Sequence, residues 1–181
     1  MLPTDNHDAR TSERIEAFLE GPPRPSRRRQ RSVPRRAHRP IAFDDPSSWA
    51  IALRREDVRV ERYGRRATVM VLDIVMSPAP PAEGTPPLDE AVLVEPVIDA
   101  IRHEARETDH VVRVSSTRFQ LLLPETTESD ADHVVDRLRT ACRDRLNGHG
   151  SAVRLRIEST TPGHGRRLAD ALDDALRRIE A

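Results

Sequence analysis

The chain has no lysine; all thirty of its cationic side chains are arginine. That bias reads as the codon usage of a GC-rich bacterial genome and says little about mechanism. A single cysteine, Cys142, excludes an intramolecular disulfide framework and a cysteine-based zinc cluster. The seven histidines are scattered without ligand spacing, so solvated or structural roles are expected of them. No apolar run approaches the length of a membrane span, and the N-terminus has no signal-peptide core. The cytoplasm is therefore the expected location.

What is present is unevenly distributed. Residues 1–40 carry ten Arg against five acids, and residues 41–181 carry twenty Arg against twenty-five. A net charge of zero thus hides a basic tail in front of an acidic domain. Within the tail, "GPPRPSRRRQRSVPRRAHRP" has eight Arg, five Pro and no acid. Such a segment buries too little apolar surface to offset its ordering entropy, so residues 1–40 are expected to be disordered and partly extended. The tail could rest on its own domain, touch nucleic acid or touch an acidic membrane. Near its start, "TSERIEAFLEG" places Ile15, Phe18 and Leu19 at helical spacing between a Thr/Ser cap and Gly21. A helix near 12–20 is too short to be stable alone and needs a partner surface, which makes it a docking element for this domain or another protein.

From residue 41 onward the pattern is that of one folded domain. Asp45-Pro46 has the order of an N-cap and first helical residue, and the helix should run to Gly64. "ATVMVLDIV", Ala67 to Val75, is short, β-branched and almost continuously apolar, as a strand covered on both faces should be. Met76 to Pro87 is too rich in proline for a regular element. Residues 88–107 read as a helix that Pro96 should bend or break. Residues 109–114 and 118–123 alternate as strands joined through Ser115 to Thr117. A helix follows from Glu128 to Leu146, closed by Asn147-Gly148, then the strand "AVRLRIEST" and a last helix, "GRRLADALDDALRRIEA". From residue 67 the order is β-α-β-β-α-β-α. The expected fold is α+β, a ferredoxin-like antiparallel sheet whose first six elements put their helices on one face.

With the hairpin placed, the sequence resembles the GGDEF domains of bacterial diguanylate cyclases over roughly residues 44–181. "RYGRRATVMVLDIV" is similar to that family's entry into its first strand, and "RETDHVVRVSSTRFQLLLPETTESDADHVVDRLR" to its helix end, signature hairpin and following helix. The resemblance implies a nucleotidyl-cyclase-type core. In the family, two domains face each other to join two GTP molecules into cyclic di-GMP, and a metal is held by a first-strand carboxylate and the acid at the third signature position. Asp73 matches the first ligand. The signature itself reads Ser115-Ser116-Thr117-Arg118-Phe119, with side chains for both glycines and Thr117 in place of the second carboxylate. Mg²⁺ held by Asp73 alone, beside the Arg118 cation, should bind poorly. The family's guanine-reading segment is replaced by the proline-rich loop, and its phosphate-stabilising Lys falls on Glu180. These losses imply a degenerate, non-catalytic domain with no metal cofactor and a vestigial Asp73 that acts as a strand-end capping or hydrogen-bonding group.

A second family site keeps its residues. The resemblance puts the Arg-x-x-Asp of the product-inhibition site on Arg106 and Asp109, five residues before Ser115, and its helper arginine on Arg137. Arginine forks suit phosphodiesters and the guanine O6/N7 edge, and a carboxylate accepts from guanine N1–H and N2–H₂. Equally, Arg106 could only complement a helix end and pair with Asp109. The expected function is a cyclic di-GMP-binding effector without catalysis. The alternatives are a nucleotide-independent interaction domain and a residual cyclase, and a homodimer is among the expected partners.

Overall fold

The computed structural model describes residues 40–76, 90–146 and 153–181. The expected disorder of the tail, its helix near 12–20, the proline-rich loop beyond Met76 and the Asn147-Gly148 stop all lie outside the described residues. Within them the order is α1 (Pro46–Tyr63), β1 (Ala67–Met76), α2 (Glu90–Glu104), β2 (His110–Arg113), β3 (Arg118–Pro124), α3 (Glu128–Arg145), β4 (Val153–Thr160) and α4 (Leu168–Glu180). The sheet order is β2-β3-β1-β4 and every pairing is antiparallel. This is the expected α+β, ferredoxin-like arrangement.

Local chemistry explains the element ends. The Asp45 carboxylate accepts from the backbone N–H groups of Ser47 and Ser48 at 2.9 and 3.0 Å, with Pro46 at the first helical position, so α1 starts where its orphan donors are satisfied. It ends at Gly64, whose φ of 63° only glycine adopts cheaply. Several boundaries differ from expectation by a residue or more, and two have a visible cause. Met76 belongs to β1, because it still pairs with Val153 on β4. Helix α2 stops at Glu104, not near residue 107, because the Asp109 carboxylate captures the Arg106 N–H at 2.7 Å and turns the chain.

Pro96 does not break α2, which is continuous around it. The carbonyl that loses its intrahelical donor belongs to Val92, a half-exposed residue where water can replace the bond.

Alternation along β1 assigns its two faces. Met70, Leu72 and Ile74 pack with α2 and α3, alongside Val111, Phe119, Leu121 and Leu123. Val69 and Val71 face the other way, into a second core with Trp49 and Ala52 of α1 and Leu168, Ala171 and Ala175 of α4. The helices between strands therefore cover one face, and the two outer helices cover the opposite one. The near-continuous apolar run of β1 is the consequence. The outer side of β2 is met by the entry segment, where the Asp44 N–H donates to the Val111 carbonyl at 2.7 Å.

Candidate functional site

Strand register decides what happens at the hairpin. Asp73 pairs with Arg118 on β3 and with Arg156 on β4, and the parity of β1 puts its carboxylate on the α4 face. There the Arg118 guanidinium donates to Asp73 Oδ2 at 2.9 Å through one nitrogen and to Glu180 Oε1 at 2.8 Å through another. Arg118 thus bridges the first strand and the last helix. Its hydrogen bond to Asp73, helped by the one to Glu180, holds its pKa above even the usual arginine value. Arg156 donates to the Ile179 carbonyl at 2.7 Å, so two arginines tie down the end of α4.

Asp73 has the hydrogen-bonding role expected of it, three residues before the end of β1 at Met76, with its carboxylate mostly buried in an ion pair. Thr117 holds the chain in register through its carbonyl, which accepts from the Ile74 N–H at 3.0 Å. One carboxylate already neutralised by a guanidinium is a poor match to Mg²⁺, which asks for several oxygens. Among the described residues, no group of three or more His, Cys, Asp or Glu gathers in metal-binding geometry.

The hairpin tip is self-satisfied. The Ser115 hydroxyl accepts from the N–H groups of Thr117 and Arg118 at 3.3 and 3.0 Å. Arg113 donates to the carbonyls of Ser115 and Ser116 at 3.0 and 2.7 Å. Neither serine has a positive φ, so this turn has no conformational need for the glycines it lacks. Phe119, fully buried, is a core residue packed edge-on to Phe43 with ring centres 5.8 Å apart. Arg113 was not singled out from the sequence.

Arg106, Asp109 and Arg137 come together where α2, β2 and α3 meet. Asp109 accepts from the Arg106 N–H, and the Asp109 N–H donates to the Arg106 carbonyl at 3.0 Å. Burial pushes the Asp109 pKa up, against the pull of that hydrogen bond and of the Arg106 and Arg137 charges. The Arg106 side chain is exposed, and its charge reaches Asp130 at the start of α3. Arg137 leans on the end of α2, donating to Glu104 Oε2 at 3.2 Å and to the Glu104 carbonyl at 3.3 Å. The cluster therefore offers one outward guanidinium, a second held by a single exchangeable pair and a carboxylate.

No protein-family model and no curated protein sequence matches the chain. Solved structures do. The GGDEF domain of YfiN from Pseudomonas aeruginosa aligns with a TM-score of 0.59 at 19% identity, over 77% of this chain and 89% of its own. The GGDEF domain of DgcB from Caulobacter crescentus, in complex with c-di-GMP, aligns at 0.58 and 12% identity, over 76% of this chain and 81% of its own. The diguanylate cyclase SiaD from Pseudomonas aeruginosa, in complex with its activator SiaC, aligns at 0.54 and 19%, over 95% of this chain and 66% of its own. The chain has the fold of GGDEF domains. None of its described helices is long and apolar enough to cross a membrane.

Proposed function

We propose that the chain is a catalytically inactive GGDEF-like domain that binds cyclic di-GMP through Arg106, Asp109 and Arg137 and relays that state to a protein partner. The observation that carries the first half is the Asp73–Arg118 pair, with its 2.9 Å contact on the carboxylate where the family's resemblance calls for a metal. Phosphoryl transfer from GTP depends on a cation that bridges and neutralises the phosphates. The Arg118 guanidinium is anchored to Asp73 and Glu180 through both terminal nitrogens, and Thr117 supplies no second carboxylate. The loss is consistent across the pair: the Glu at the fourth signature position and the last-helix base of the family are both reversed in sign here, as Arg118 and Glu180.

Binding is supported by the meeting of the three sensing residues and by the fold's likeness to a domain captured with c-di-GMP. The likeness to SiaD with its activator SiaC supports a protein partner. Cytoplasmic signalling without a metal cofactor follows from the same reading.

Calorimetric titration of cyclic di-GMP tests the proposal. Heat is expected at micromolar to tens of micromolar ligand, with loss in Arg106→Ala. Because the ionised Asp109 is the acceptor for guanine and its pKa is raised, affinity should begin to fall as pH drops toward it from above the ordinary carboxylate range. No heat, or an isotherm unchanged in Arg106→Ala, defeats the binding half. Incubation with GTP and Mg²⁺ or Mn²⁺ should give no cyclic product, and turnover abolished by Asp73→Ala defeats the inactive half.

A second reading is favoured by one observation. Asp109 and Arg137 are already engaged by Arg106 and Glu104, as they would be in a nucleotide-independent interaction domain. A silent titration with a partner retained in pull-down, and lost on removing residues 1–40, supports that reading.

A further inference from the structure

A sizeable cleft of the described domain lies far from the hairpin. It opens where the end of α1, the start of β1 and the β4–α4 connection meet, at the end of the sheet opposite Asp73 and Arg118 in register. Its volume is about 720 Å³, in the range of pockets that take nucleotide-sized molecules. Five of its fifteen lining residues are arginines, brought from separate segments: Arg54, Arg65, Arg66, Arg166 and Arg167.

The acids that oppose them are few. Asp57 is spent inside the fold, accepting from the Leu168 N–H at 2.7 Å, which leaves Glu61 as the other lining carboxylate. Arg65 pairs with Glu125 and Arg166 with Asp174, while Arg54, Arg66 and Arg167 have no carboxylate partner among the described residues. Three exposed, uncommitted guanidiniums around one concavity are a set of planar donor forks for phosphate oxygens. The remaining wall suits the body of such a ligand. Val60, Ala67 and Pro162 give it an apolar part, and side-chain-free backbone at Gly163 and Gly165 borders open space.

We propose that this cleft binds a phosphorylated small molecule of nucleotide size, its oligophosphate held by Arg54, Arg66 and Arg167. Arg106, Asp109 and Arg137 do not line it, so the site stands independently of the cyclic di-GMP reading. It is separate from the hairpin as well.

The experiment titrates inorganic tripolyphosphate and ATP, each without metal, into the full chain at low salt. Arg66→Ala/Arg167→Ala should weaken both at least tenfold, while Arg62→Ala, outside the cleft, should leave them unchanged. Equal affinity for the two probes assigns recognition to the oligophosphate alone, and tighter ATP places the nucleoside against the apolar wall. Protection of Arg66 and Arg167 from phenylglyoxal by tripolyphosphate, read by peptide mass spectrometry, separates this cleft from the arginines of the tail. The proposal is overturned if neither probe binds at millimolar concentration, if the double variant binds as the parent does, or if Arg66 and Arg167 are not protected.

Discussion

Arg118 is the residue on which the hairpin turns. Its removal leaves Asp73, whose side chain is 15% exposed, without its counter-charge. Breaking a fully buried pair from one side costs about 3–5 kcal/mol, but the guanidinium is 26% exposed, so Arg118→Ala should cost about 1–2 kcal/mol in urea denaturation. Glu180, with a 60% exposed side chain, should matter less, and Glu180→Ala should change stability by under about 1 kcal/mol. Asp73→Asn/Arg118→Leu should recover most of the loss, because no charge is then left uncompensated. An Arg118→Ala protein as stable as the parent would show the pair to be ornamental. The types at 117, 118 and 180 were readable in the sequence as departures from the pattern of the family it resembles, and Asp73 as a match to it. That Asp73, Arg118 and Glu180 had become partners was not, because Arg118 and Glu180 are 62 residues apart and only the packing of α4 on β1 brings them together.

Among the elements, α2 carries the clearest local conflict. Its proline removes a backbone hydrogen bond and should bend or break the helix, yet Leu93, Val94, Val97 and Ile98 are buried on both sides of it. Burial of that stripe outweighs a propensity penalty of about 3 kcal/mol. Pro96→Ala should therefore stabilise the domain, by about 1 kcal/mol or more after the gain in unfolded-chain entropy is subtracted, as measured by the urea midpoint at constant slope. Destabilisation would mean that Pro96 makes a packing contact worth more than the helix bond. Other elements show how far periodicity reaches. The strands and the long α3 were legible because period-2 and period-3.6 patterns are written in adjacent residues. The stop of α2 was misplaced by about three residues because it depends on one side-chain hydrogen bond, from Arg106 N–H to Asp109, that no periodicity encodes.

For the whole domain, the two-faced sheet makes a reporter of Cys142. The thiol is fully buried on α3 in the core that α2 and α3 share, and burial pushes its pKa up to about 12. It should be inert to aromatic disulfide reagents at pH 8 in the native protein and react at a rate that tracks unfolding as urea is added. Rapid labelling without denaturant would place α3 in a locally opening unit. The order of elements and the central position of β1 follow from composition and alternation, which are properties of neighbouring residues, and the candidate residues at the hairpin and beside it follow from the family resemblance. The covering of the second face by α1 and α4, the closing of Arg118 on Asp73 and Glu180, and the gathering of arginines from residues 54 to 167 into one cleft do not. They rest on strand register and helix docking between segments distant in the chain, and those are settled only when apolar faces find each other.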